Sequence, residues 1–186
     1  MKDKILEAAM RVYYKKGARF TMDDLAAELS MSKKTIYTVF RDKKTLLYDM
    51  VDFAFDQIKE SEAAILGNNS LGIEEKLQGI LSVMPENFTG IDFSEIHEMG
   101  AKYPQAYARI RQRLESGWET TLGLLKEGEE AGIFRPVNPA LFQMIYDASI
   151  ERFLSGDELK NYQIPYMDAL NGLVNMMICG IKINGE

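Results

Sequence analysis

The chain has 186 residues, enough for one domain or a small domain joined to a larger one, and its hydrophobic content of 46% suffices for a real core. One Cys and one His exclude a disulfide framework and a Cys/His-rich zinc site. The start Met1-Lys2-Asp3-Lys4-Ile5-Leu6-Glu7 carries an acid where a secretion signal needs an apolar run, and no window of about 18 uninterrupted apolar residues exists to span a membrane, so a cytoplasmic protein is expected. The net charge of −6 is unevenly spread: residues 1–50 hold 11 Lys/Arg against 7 Asp/Glu, and residues 51–186 hold 11 against 21. A cationic head on an acidic body suits a head that docks on phosphate while the body does something else.

A first helix is expected from about Asp3 to Lys16, where Ile5, Ala8, Ala9, Val12 and Tyr13 repeat at three and four and Gly17 supplies a C-cap. Thr21-Met22-Asp23-Asp24 reads as a capping box with Asp in the fourth place, opening a second helix with Leu25, Ala26 and Leu29 on its apolar face. Only Ser30-Met31 separate it from Ser32, the N-cap of a short helix reaching Phe40. Ile36, Val39 and Phe40 share its inner side, while Lys33, Lys34, Thr35, Tyr37 and Thr38 lie off that side. Cations, hydroxyls and a phenol on such a face suit a polyanion with readable base edges, and two short helices joined by so tight a turn form a helix-turn-helix. Asp42 then caps a long helix to about Leu66 with Leu46, Leu47, Met50, Phe53, Ala54 and Ile58 in phase. Lys43 and Lys44 occupy its first turn, the unfavourable end for cations by the helix dipole, which together with free backbone N–H groups marks an anion site.

Gly67-Asn68-Asn69-Ser70-Leu71-Gly72 is a polar linker, followed by expected helices at Ile73–Met84, Phe93–Lys102, Pro104–Ala131, Ala140–Leu154 and Pro165–Ile183. Tyr107, Ile110, Leu114, Trp118, Thr121 and Leu125 mark the inner face of the long helix from Pro104. The helix from Ala140 is apolar on two sides, Leu141, Ile145 and Ala148 on one and Phe142, Tyr146, Ile150 and Phe153 on the other, as expected of a helix buried against two layers. Cys179, between Met177-Ile178 and Gly180, reads as an inert buried thiol. No phosphate-binding glycine loop, hydrolase triad or metal motif is present, so no enzyme and no cofactor are expected.

The run from Phe20-Thr21-Met22-Asp23-Asp24-Leu25-Ala26 through Met31-Ser32-Lys33-Lys34-Thr35-Ile36-Tyr37-Thr38-Val39-Phe40-Arg41-Asp42-Lys43-Lys44-Thr45-Leu46-Leu47 resembles the DNA-binding domain of the TetR family of bacterial transcriptional regulators, over roughly residues 4–50. The segment Glu129–Pro139 is similar to a turn in the family's C-terminal domains. The resemblance implies an all-helical homodimer, with a helix-turn-helix domain over 1–48 and a ligand-binding and dimerisation domain over 49–186. It implies a repressor released from double-stranded, palindromic operator DNA by a small-molecule effector. A helical protein-interaction adaptor is the alternative, although it leaves the basic, hydroxyl-rich helix unexplained.

On this reading Thr21, Ser32, Lys33, Lys34, Thr35, Tyr37, Thr38 and Lys43 meet DNA, Lys43 by gripping phosphate. Phe88, His97, Tyr107, Trp118, Phe142 and Tyr146 are candidates to line the ligand pocket. His97 has three readings: a structural histidine, a polar group of the pocket, or a metal ligand beside Glu95 or Glu98. The chain departs from the family pattern at Ser30, where glycine is common, and at Val39, where an aromatic is common. Its N-terminal arm is short, with Lys2 and Lys4 its only cations.

Overall fold

The computed structural model describes residues 1–85, 95–154 and 158–183, with Glu95 and His97 described through their backbone. The first helix, α1 (Lys2–Lys16), is followed by a 3-10 turn at Gly17–Arg19, then α2 (Met22–Leu29), α3 (Lys33–Tyr37) and the long α4 (Lys43–Gly67). The body continues with α5 (Ile73–Ser82), α6 (Glu95–Lys102), α7 (Pro104–Leu114), α8 (Glu119–Glu130), α9 (Pro139–Leu154), the short α10 (Glu158–Asn161) and α11 (Tyr166–Ile181). Among the described residues the only extended pairing is a single antiparallel bridge between Phe134 and Lys182, so the protein is all-helical.

The head closes around the expected apolar faces. Ile5, Phe20, Leu25, Ile36, Phe40, Leu46 and Leu47 are all essentially inaccessible and form one core shared by α1 to α4. Each such side chain stabilises the domain by about 1.5–3 kcal/mol relative to leaving it in water. The capping box is formed: Thr21 Oγ1 accepts from the Asp24 N–H at 3.2 Å and Asp24 Oδ2 accepts from the Thr21 N–H at 2.8 Å. Ser30 ends α2 in the left-handed conformation, φ 51°, the geometry that explains why glycine is common there.

The helix of α3 is shorter than the expected Ser32–Phe40. After Tyr37 the chain tightens, with the Thr38 N–H shared between the Lys34 and Thr35 carbonyls and the Val39 N–H bonded to Ile36 O at 3.0 Å. This tight turn still delivers Phe40 to the core.

The expected helix from Pro104 to Ala131 is two helices. Trp118 keeps the helical phase of Ile110 and Leu114, so periodicity alone carries across the break. The chain turns instead at Gly117, φ 77°, where the carbonyl accepts from Lys59 Nζ of α4 at 3.2 Å. A Cβ on Gly117 would also lie 3.3 Å from Lys59 Cε, so the left-handed backbone and the close lysine both favour glycine. The last helix ends at Ile181, two residues early. The Arg135 N–H takes Ile181 O at 2.7 Å and the Ile183 N–H takes Ile133 O at 2.9 Å, so the end of the described chain is extended against the turn after α8.

α4 is the longest element and the one that runs from head to body. Its first two turns bury Leu46, Leu47, Met50 and Val51 against α1, and its middle lies along α7. There Asp52 Oδ1 accepts from Arg109 and Arg113 at 2.8 and 3.1 Å, and Asp56 accepts from Arg113 at 2.7 Å. Arg109 and Arg113 also stand over the rings of Tyr48 and Phe55.

Gly128 touches Phe134, a fully buried ring, so closely that a Cβ would overlap it. Replacing Gly128 with Ala is expected to lower stability by about 1–3 kcal/mol in chemical denaturation, as overpacking of a tight core does. An unchanged midpoint would show that the turn after α8 yields freely.

Asp24 is held well below the usual carboxylate range, at about 2, first by its hydrogen bond from Lys16 and then by the Thr21 N–H and hydroxyl. A carboxyl with a depressed pKa in the folded state stabilises above its unfolded value near 4 and loses that contribution as pH falls toward 2. Melting temperature is therefore expected to drop between pH 4 and pH 2 in a way that Asp24→Asn reduces; identical profiles for the two proteins would count against it.

Candidate nucleic-acid interface and interior cavity

The outer face of the head is built by α2 and α3. Ser32 Oγ accepts from the Thr35 N–H at 3.1 Å and lies 2.9 Å from Thr35 Oγ1, and Thr38 Oγ1 donates to Thr35 O at 2.6 Å. The Ser32 and Thr35 hydroxyls thus brace each other while the Thr38 hydroxyl is held on the Thr35 carbonyl, with Ser32 and Thr38 exposed and Thr35 half-buried. Tyr37 presents 46% of its surface to solvent. The Thr21 hydroxyl is occupied by its own cap, donating to Asp24 Oδ2 at 2.9 Å.

The cations on this face are not equivalent. Lys33 Nζ lies 2.8 Å from Asp23 Oδ1, a carboxylate that is itself 72% exposed on the same face. Lys34 and Lys44 are exposed and have no side-chain partner among the described residues. Arg41 sits beside Asp42 at 3.3 Å while remaining open to water. Further back, Arg11 and Lys15 are both taken by Glu28, Lys16 by Asp24 and Lys2 by Asp49. Much of the head's formal positive charge is therefore spent inside the domain, which a count of residues does not reveal.

Lys43 departs from expectation. Its ammonium is not held out toward a phosphate but folded inward, donating to Ala18 O at 2.8 Å and to Phe20 O, over the Phe20 ring and within 5.1 Å of the Tyr103 ring centre. Burial, then the charge of Lys102, brings its pKa down to about 8. The physical reason is local. Two carbonyls left by the 3-10 turn face the start of α4, and a lysine stem is long enough to satisfy both. Close by, Arg19 of that turn pairs with Glu98 of α6 at 3.0 Å. Together these contacts fasten the head to the body at the α6–α7 corner.

Behind the head lies a cavity of about 200 Å³. Its walls come from α1 (Met10, Tyr13, Tyr14), α4 (Met50 to Glu62), α5, α6, α7, the α7–α8 corner, α9 and α11. Trp118 and Tyr146 line it, packed edge to face with ring centres 5.4 Å apart. Tyr146 donates to Leu81 O at 2.7 Å, and burial raises its pKa. Tyr107 and Phe142 do not line it. Tyr107 closes over Gly100, and Phe142 is buried in the core at the start of α9. Phe88 lies outside the described residues, as does the side chain of His97; of the metal partners considered for it, Glu98 is engaged by Arg19.

Sequence reading missed the contribution of α1. Met10, Tyr13 and Tyr14 follow the same apolar period as the head core, and nothing in the period distinguishes a core residue from one facing a void.

Cys179 is exposed, not buried, because α11 turns Leu170, Leu173, Val174, Ile178 and Ile181 inward and carries Cys179 on the opposite side. That outer side, with Met176 at 69% exposure, runs beside the outer side of α9, where Leu141, Met144 and Ile145 are 52%, 66% and 46% exposed. The two-sided apolarity of α9 therefore has one face in this chain's core and one in solvent. No helix among the described residues is long and apolar enough to cross a membrane.

Residues 5–50 match the family described as bacterial regulatory proteins, tetR family. Along its whole length the chain is 28% identical to the uncharacterized HTH-type transcriptional regulator YvaF of Bacillus subtilis (strain 168), spanning 98% of that protein. Among solved structures, a TetR transcription regulator from Haloarcula marismortui ATCC 43049 shares the fold with a TM-score of 0.74 at 16% identity, covering 98% of each chain. AibR in complex with isovaleryl coenzyme A and operator DNA does so with a TM-score of 0.60 at 18% identity, covering 94% of this chain and 96% of that one. Over residues 5–50 the chain thus matches the tetR family of bacterial regulatory proteins, and along its whole length it is similar to an HTH-type transcriptional regulator and shares the fold of TetR regulators.

Proposed function

We propose that the protein is a ligand-responsive repressor, released from its operator when a small molecule fills the cavity behind the head. The observation that carries this reading is that α1 and α4, two helices of the head's own core, also wall the cavity. A molecule bound there touches the DNA-binding unit directly. One that fits better in one setting of α1 and α4 shifts the population toward that setting. AibR, of the same fold, binds both isovaleryl coenzyme A and operator DNA. Residues 1–48 serve as the DNA-binding domain and 49–186 as the ligand-binding and dimerisation domain, with α4 crossing the boundary.

On DNA, α3 enters the major groove. Lys34 and Lys44 supply phosphate charge, and Ser32, Thr35, Thr38 and Tyr37 supply hydroxyls for base edges or phosphates, with Thr21 at the backbone. Lys33 contributes less than its position suggests because Asp23 already neutralises it. Lys43 acts through the first turn of α4, whose placement it secures.

The exposed apolar faces of α9 and α11 pair with those of a second copy. Gly172 and Gly180 of α11 have open space where a side chain would stand, which allows close approach of a partner helix. Two-fold symmetry then presents two α3 helices about 34 Å apart or somewhat further, matching a palindromic operator.

The DNA assignment is tested by titrating duplexes, chosen by selection from random sequence, at several salt concentrations. Lys34→Ala is expected to weaken binding on every duplex and to reduce the salt slope by about one, and Lys33→Ala to do less of both. Asp23→Asn, which removes an anion from the face and frees Lys33, is expected to strengthen binding to all duplexes. Weaker binding by Asp23→Asn would mean that this carboxylate reads DNA itself.

Introducing charge at Met176 or Ile145 as glutamate is expected to convert a dimer to a monomer in sedimentation, and to lower operator affinity with the head still folded by circular dichroism. A dimer that survives both substitutions places the interface elsewhere.

A further inference from the structure

The cavity's charged lining has an arrangement that bears on what enters it. Among the described residues, three charged side chains line the void: Lys59, Glu62 and Arg113. All three lie where α4 passes the end of α7. Lys59 pairs with Glu62 at 2.8 Å and also donates to Gly117 O. Arg113 is shared between Asp56 and Asp52, and Asp52 also holds Arg109. Three cations and three carboxylates thus form two closed groups, Lys59–Glu62 and Arg109–Asp52–Arg113–Asp56, each of zero net charge.

Three of the lining polar side chains bond within the protein. Tyr146 donates to Leu81 O at 2.7 Å, Trp118 Nε1 to Leu114 O at 2.9 Å and Ser116 Oγ to Arg113 O at 3.1 Å. The rest of the wall is predominantly methionine, aliphatic and aromatic carbon.

A charged ligand would leave water for a site with no spare counter-charge, or would have to break a pair whose partner is then stranded; both are costly in low-dielectric surroundings. An uncharged apolar ligand meets neither obstacle, and it gains contact with rings and thioether side chains that adapt their shape. The volume of about 200 Å³ sets the scale: an apolar cavity of roughly 150 Å³ holds benzene, so this one suits a molecule of about ten carbons.

We infer that the effector is an uncharged, largely apolar molecule about the size of two fused rings, excluded from carrying a net charge by the closed Lys59–Glu62 and Arg113–Asp52–Asp56 pairs. This rests on the reading of the cavity as the effector site, and it names the chemical class that site accepts.

The full-length dimer is titrated by calorimetry with three probes matched in size: 1-naphthalenemethanol, 1-naphthoate and 1-naphthylmethylammonium. The neutral alcohol is expected to bind about tenfold or more tighter than either ion and to raise the melting temperature. Glu62→Gln, which leaves Lys59 without its carboxylate, is expected to improve naphthoate binding about tenfold while leaving the alcohol unchanged. Equal or tighter binding of either ion to the unaltered protein overturns the inference, as does failure of all three to bind. Naphthoate binding unmoved by Glu62→Gln shows that the pair does not set the selection, and overturns it too.

The same probes are added to the protein–operator complex. If the alcohol binds as expected and operator affinity does not change, the effector reading fails while the ligand class of the cavity stands.

Discussion

The burial of α4 between head and body is the constraint on which the rest of the molecule depends. Its first turns complete the head core through Leu46 and Leu47, and its middle is held along α7 by Asp52 and Asp56 with Arg109 and Arg113. A helix is stiff along its axis, so a change in how its middle sits is carried to its start. Because Arg109 and Arg113 are four residues apart on α7, and Asp52 and Asp56 four apart on α4, facing charges align over a full turn. Lys59 extends the same seam to the α7–α8 corner. Displacement of α4 alone would separate several pairs at once, so α4 and α7 are best regarded as one unit.

Beyond the shared apolar core, two polar side chains tie the head at the α6–α7 corner. Lys43 spans from α4 to the carbonyls of Ala18 and Phe20, beneath Tyr103, and Arg19 reaches Glu98. A lysine in this position trades hydration for two carbonyls and two rings, and its lowered pKa reports the cost of that burial. Its consequence for function is positional. It fixes the angle at which α4 leaves the head, and thereby the angle at which α3 is presented.

The electrostatics of the face presented to DNA follow from pairing and not from composition. Asp23, Asp24, Asp49 and Glu28 absorb five of the head's cations. What remains outward is a small set led by Lys34 and Lys44, beside the locally bonded hydroxyls of Ser32, Thr35 and Thr38. On the proposed DNA-binding reading, a small free charge beside several hydroxyls favours discrimination between sequences over tight binding to any duplex. The acidic body adds to this balance by repelling phosphate away from the head.

The helix-turn-helix and its apolar faces were legible in the sequence because they depend on interactions within a few residues. Ser32 and Asp42 cap their own helices, Thr21 and Asp24 bond each other, and Ile36 and Phe40 share a face by helical period alone. Trp118 and Tyr146 at the cavity were legible as aromatics in phase, whereas Tyr107 and Phe142, equally in phase, pack without lining it. Hydrophobic period records which side of a helix faces inward but not whether it meets atoms or a void. The inward turn of Lys43, the capture of Lys33 by Asp23 and the break at Gly117 share one cause. Each needs a partner from a distant or separately oriented part of the chain, and only the tertiary structure sets that distance. By itself the sequence determined the local helices, their caps and the family of the head; the tertiary structure decided which charges remain free, which aromatics face the cavity and which side of α9 and α11 stays exposed, because those depend on neighbours brought together from far along the chain.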